Sequence, residues 1–76
     1  MTIDLHGLTI HAAWHVFNSR VTDAYYDGNK TCRVITGYGS IQSELNTWAY
    51  NHTMVTSCKQ QDPNKGSFVL KLKKRK

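Results

Sequence analysis

Twice along this chain an alternating strand pattern runs through a glycine into an apolar stripe at helical spacing. The first pass begins at Thr2–His6, where Ile3 and Leu5 share one face and Asp4 and His6 share the other, and it stops on Gly7. Thr9 can cap a helix on which Ile10, Ala13, Trp14, Phe17, Val21 and Ala24 recur at helical spacing, ending near Asp27-Gly28-Asn29. The second pass begins at Thr31–Thr36 and stops on Gly37. Ser40 is its cap candidate, with Ile41, Leu45, Trp48 and His52 on one face. Thr53–Lys59 reads as a third strand, and Gln60–Gly66 carries the Asp-Pro and Asn-Lys-Gly punctuation of a turn. Ser67–Lys73 alternates as a fourth strand, with Phe68, Leu70 and Leu72 opposite Val69, Lys71 and Lys73.

The resulting order, β-α-β-α-β-β, predicts an α/β two-layer sandwich. Right-handed crossovers between parallel strands put both helices on one face of a four-stranded mixed sheet. Seven residues are too few for a crossover, so the last two strands are expected to be antiparallel. Two helices leave the other face open to water, which explains why the first and last strands alternate instead of reading as continuous apolar runs.

Seventy-six residues suffice for one small domain, which buries only roughly 60% of its unfolded surface. Trp14, Phe17, Trp48 and Phe68 are the bulky candidates for its core. We expect residues 1–72 to form that domain and 73–76 a basic tail. Cys32 and Cys58 lie in strand-like stretches without a CxxC, which fits free thiols in a reducing compartment. No leader and no membrane-length apolar run is visible, so the expected location is cytoplasmic, with no membrane partner.

The net charge of +5 is unevenly placed. Lys71, Lys73, Lys74, Arg75 and Lys76 are five of the ten basic residues, and over residues 1–70 basic and acidic side chains balance. Such a run attracts phosphate backbones without sequence preference, although it serves equally as a solvated end.

Each of the two strands ends in a glycine loop, "HGLT" and "TGYGS". If the strands are neighbours, both loops lie at the carboxyl edge of the sheet, where open α/β folds place ligands. The second loop enters a helix amino terminus, whose free N–H groups favour an anion, and Gly37 and Gly39 let backbone approach it closely. Asp4 and His6 then read three ways: an acid/base pair, a metal-ligand pair, or the solvated side of a half-buried strand. His11 and His15 have a metal-compatible spacing, but "HAAWH" lacks the glutamate of HExxH and reads as surface histidines.

"IDLHGLT", followed about thirty residues later by "VITGYGS", resembles the small MutS-related (Smr) domain, with its L-D-x-H-G stretch and [HT]-G-x-G loop. "IQSELNTWA" is similar to the family's second helix and "GSFVLKLKK" to its closing strand, so the resemblance covers nearly the whole chain. Ile3 stands where leucine is usual, and the family's glycine-rich stretch before the last strand is reduced to Gly66. The resemblance implies a sandwich similar to the carboxyl domain of translation initiation factor three. It also implies nucleic-acid binding and often endonuclease activity, on nicked or structured DNA or on RNA. Asp4, His6 and Gly7 match the first motif, and Thr36, Gly37 and Gly39 match the second.

On this reading Asp4 and His6 are the catalytic candidates. Gly7, Thr36, Gly37, Tyr38, Gly39, Ser40, Lys71, Lys73, Lys74 and Arg75 are the substrate-binding ones, with Tyr38 placed to stack on a base. No dedicated metal ligands are identified, and assistance by Mg²⁺ or Mn²⁺ through Asp4 is left open. The expected partner is RNA or DNA, with a non-catalytic binding module, or a docking domain for a ribosomal or repair assembly, as the alternatives.

Overall fold

Helix α1 (Ile10–Tyr26) begins where Thr9 accepts the Ala12 N–H on its hydroxyl at 3.2 Å, as the cap position predicts. It ends in a Schellman turn. Asp27 is the C-cap, Gly28 takes φ +82°, and the Gly28 and Asn29 N–H groups return to the carbonyls of Tyr25 and Ala24. The computed structural model describes residues 1–61 and 66–74, so most of the predicted turn and the end of the basic tail, including Arg75, lie outside the described residues.

The remaining elements follow in the predicted order: β1 (Thr2–Asp4), then β2 (Thr31–Ile35) after α1, α2 (Ser40–Asn51), β3 (Val55–Gln60) and β4 (Ser67–Leu72). The first strand is shorter than its alternation suggests. His6 and Gly7 already form a turn, because Gly7 adopts φ +81° and Leu8 N–H closes back on the Leu5 carbonyl. The sheet order is β1-β2-β4-β3. β1 runs parallel to β2, and β4 lies antiparallel between β2 and β3. The three strands β1, β2 and β3 therefore point the same way, and the β2–α2–β3 connection steps over β4.

Register sorts the sheet into two faces. Ile3, Cys32, Val34, Phe68 and Leu70 share one, and all are buried. They join Ala13, Phe17, Val21 and Ala24 of α1 and Ile41, Leu45 and Ala49 of α2 in one core, so both helices cover the same side. Phe17 is fully buried, with its ring 5.9 Å from Trp48 and 6.0 Å from His52. Burying a side chain of that size contributes roughly 1.5–3 kcal/mol.

The predicted core needs two corrections. Trp14 is 44% exposed and Ile10 42% exposed, although both fall on the apolar stripe of α1. Ile10 occupies the first helical position, and Trp14 flanks the buried row of Ala13, Phe17, Val21 and Ala24, stacking edge-on against His15 instead. Trp48 is only partly buried, packed against the core. Cys32 and Cys58 are free thiols whose pKa values burial pushes up. Among the described residues no helix is long and apolar enough to cross a membrane.

His52 caps the far end of α2 and ties it to the start of β3. Its Nδ1 accepts the Met54 N–H at 3.2 Å, which requires an unprotonated nitrogen. Burial lowers the pKa of this imidazole, outweighing a hydrogen bond with the Asn18 backbone that favours the charged form. A histidine kept neutral in the fold takes up its proton more readily when unfolded. Its stabilisation is thus present above the ordinary histidine value and is lost as pH falls through the depressed one. The melting temperature should drop between about pH 7 and pH 5, and His52→Asn, which keeps an acceptor without a titrating ring, should flatten that drop. Identical pH profiles for the two proteins would remove His52 from this role.

Candidate functional site

β1 is only three residues long, yet it fixes where the chain turns. Asp4 registers with Ile35, and the next backbone bond, Leu5 N–H to the Ile35 carbonyl at 2.7 Å, is the last before β1 leaves the sheet. Alternation turns the Asp4 side chain to the face opposite the helices. There its Oδ1 accepts two hydrogen bonds from His6, one from the backbone N–H at 3.0 Å and one involving the imidazole Nδ1 at 2.9 Å. One carboxylate oxygen thereby holds both the turn and the ring. The bond from the His6 side chain, then that from its backbone, lowers the Asp4 pKa below the ordinary carboxylate value. Both side chains remain open to solvent, 55% exposed for Asp4 and 69% for His6.

The second loop approaches from β2. Thr36 is buried, and its N–H and hydroxyl both reach the Gly66 carbonyl, at 2.7 and 3.1 Å. The Gly37 N–H joins them at 3.0 Å, so the single glycine left before β4 anchors the loop. Gly37 sits at φ +69°, and a Cβ placed there would lie 3.4 Å from the Cβ of His6. His6 therefore stands directly over the loop. The predicted cap at Ser40 is corrected: Gly39, with φ +145° and ψ −150°, is the N-cap, and Ser40 is the first helical residue. No side chain caps α2, because glycine supplies only the backbone geometry.

Between the two helix amino termini lies an open cleft of about 310 Å³. Gly7, Leu8 and Thr9 line one side and Tyr38, Gly39 and Ser40 the other. The dipoles of both helices favour negative charge at this edge. Tyr38 projects from the loop tip and is 76% exposed.

The predicted site residues thus divide into two groups. Asp4, His6, Gly7, Thr36, Gly37, Tyr38, Gly39 and Ser40 meet at the carboxyl edge of β1 and β2. Thr36 holds the loop there, since its hydroxyl is engaged by the Gly66 and Gly37 carbonyls. Lys71, Lys73 and Lys74 do not join them. Lys71 registers with Thr31, at the start of β2, whereas Asp4 registers with Ile35 at its end. Four residues separate those rows, about 13 Å at the rise of a strand. Together with Lys30 these lysines line a separate cleft of about 590 Å³.

Two basic residues on the open sheet face escape a motif-centred reading. Arg33 pairs with Val69 across β2 and β4, and Lys59 pairs with Val69 from β3; both are exposed. The alternation in "TCRVI" contained the signal for Arg33, since Cys32 and Val34 already claim the core face. On α1, the His11 and His15 Nε2 atoms lie 3.2 Å apart. No group of three potential metal ligands exists among the described residues.

Comparison with known proteins agrees with this architecture. The family model for the Smr domain matches residues 3–71. Among solved structures, the crystal structure of the Smr domain of Thermus thermophilus MutS2 superposes with a TM-score of 0.88 at 23% identity, covering 95% of this chain and 96% of that one. That likeness shows a shared fold. No curated protein sequence matches the chain significantly.

The Asp4–His6 bond makes a prediction independent of any activity. Carboxyl-detected NMR should find Asp4 titrating below the ordinary carboxylate value, and His6→Ala should return it upward. An Asp4 titration unmoved by His6→Ala would show that the two side chains are not joined in solution.

Proposed function

Because the chain belongs to the Smr domain family, a nucleic-acid-binding and nuclease-type module, we propose that it cleaves phosphodiester bonds in RNA or in nicked or structured DNA. The observation that carries this reading is the hydrogen-bonded Asp4–His6 pair standing over Gly37 of the loop that enters α2. Asp4 holds Nδ1 of His6, which leaves Nε2 to exchange a proton with the substrate. As an oxygen nucleophile, water or a neighbouring ribose hydroxyl, bonds to phosphorus, the bond to the leaving strand breaks. His6 takes the nucleophile's proton or supplies one to the leaving oxygen.

The extra negative charge that develops on the phosphoryl oxygens is met at the start of α2, whose N-cap is Gly39. Backbone N–H groups from Tyr38 to Ser40 are the proposed donors, since that of Gly37 is held by the Gly66 carbonyl, and a preorganised donor of this kind needs no rearrangement during reaction. Gly7 supplies the positive φ of the turn that carries His6, and Tyr38 offers a ring on which a base can stack.

The donor set fits proton transfer better than a metal cage. Among the described residues of this edge Asp4 is the one carboxylate, and its Oδ1 already takes two hydrogen bonds from His6. Among the described residues, the remaining Asp4 carboxylate oxygen would hold Mg²⁺ or Mn²⁺ together with the substrate.

His6→Ala should abolish cleavage while leaving binding nearly intact, since proton transfer matters chiefly in the transition state. General acid–base assistance is worth about 10²–10⁴ in rate, a loss visible with a labelled oligonucleotide. Asp4→Asn should also slow the reaction. Cleavage that persists in EDTA assigns the chemistry to His6 alone, whereas its complete loss would bring a cation to Asp4. Wild-type cleavage by His6→Ala would sink the enzyme reading in favour of a non-catalytic binding module.

Gly39→Val tests the loop. A β-branched residue at φ +145° should cost about 1–3 kcal/mol of stability and weaken both binding and cleavage. A variant that melts, binds and cleaves like the parent would remove the phosphate cradle from the mechanism.

A further inference from the structure

The open face of the sheet carries three exposed cations on three different strands: Arg33 on β2, Lys71 on β4 and Lys59 on β3. Arg33 and Lys59 flank Val69 from opposite sides, two strand spacings or about 10 Å apart. Lys71 lies two residues along β4 from Val69, about 7 Å further on. Asp4 is the only acidic residue on this face of the four strands, and it sits at the corner, in the row next to Arg33. The opposite layer is charged the other way. α1 with its cap carries Arg20 against Asp23 and Asp27, and α2 carries only Glu44. The molecule is thus electrostatically two-sided.

We propose that this open face is the surface on which the sugar-phosphate backbone of the nucleic acid lies. Arg33, Lys71 and Lys59 hold its phosphates and lead the strand to Asp4 and His6. The inference rests on the reading that the protein acts on nucleic acid, and it names the surface that does the holding. Charge complementarity selects the occupant. No aromatic ring stands on this face of the four strands, so it offers bases no stacking platform and its contacts go to phosphates. Lys73 and Lys74, beyond the end of β4, line with Lys71 the cleft at the end of the sheet away from the site. Cleavage geometry and binding strength are then separable. The carboxyl edge supplies the chemistry, and the open face supplies most of the salt-sensitive affinity.

The test is fluorescence anisotropy with two labelled probes of about 20 nucleotides, a duplex DNA and a single-stranded RNA, between about 50 and 200 mM salt. Each lost phosphate contact lowers the slope of log affinity against log salt by about 0.7–0.9, so R33Q/K59Q/K71Q should flatten it by roughly 2–3. Arg20→Gln, on the helix layer, should leave it unchanged. An unchanged slope in the triple variant overturns the track and leaves the basic face to another partner, such as an acidic protein, while the function proposed above stands. Failure of the wild-type protein to bind either probe overturns both. Should the triple variant not fold by circular dichroism, acetylation of the wild-type protein decides. A bound probe should protect Lys59 and Lys71, and equal labelling with and without it overturns the proposal.

Discussion

The parallel pairing of β1 with β2 is the contact on which the rest of the site depends. It is short: Thr2, Ile3 and Asp4 register with Arg33, Val34 and Ile35, and two further backbone bonds, Arg33 N–H to the Met1 carbonyl and Leu5 N–H to the Ile35 carbonyl, extend it at its ends. β1 is also an edge strand, so nothing on its far side reinforces it. Its hold comes from below, where Ile3 and Leu5 are buried in the common core. Because both strands run the same way, both of their carboxyl ends arrive at one edge. Only then can the turn after β1 place His6 over Gly37 of the loop after β2.

The insertion of β4 between β2 and β3 has a second consequence. It places a strand with exposed Lys71 in the middle of the sheet, beside Arg33 and Lys59, on the side the helices leave open. A small domain cannot cover both faces of a four-stranded sheet with two helices. One face therefore becomes core and the other meets solvent, and the solvent-facing side is free to carry charge. The fold itself makes the surface that the proposed partner requires.

At the edge, a few atoms serve several purposes. The Asp4 carboxylate orients an imidazole and closes a turn, and the Gly66 carbonyl anchors Thr36 and Gly37 together. Neither arrangement is deeply buried on the Asp4 side, so the pair contributes little to stability. Its geometry matters chiefly for what it presents to a ligand. The helix α2 has Gly39 as its N-cap and so no side-chain cap hydrogen bond. In a structural helix that would be a small loss, whereas at an anion site it keeps the donors available.

The strand and helix order, the antiparallel final pair, the two glycine loops and the Asp4–His6 face were determined by the sequence alone. Those features follow from local periodicity and turn chemistry, which act over a few residues. The edges of elements were less legible. β1 stops before His6, and Gly39 rather than Ser40 caps α2, because hydrogen bonds to Gly66 and the run of the partner strand decide where pairing ends. Trp14 matched the apolar stripe yet stands exposed, since periodicity shows that a residue flanks a face but not how far the neighbouring layer extends. The antiparallel direction of β4 sets Lys71 on the open face about 13 Å from the row of Asp4, which its place in the sequence does not show. Conversely, Arg33 and Lys59, distant in sequence, meet across Val69. Which side chains share a surface depends on strand order and register. Those arise from long-range packing, and only the tertiary structure could decide them.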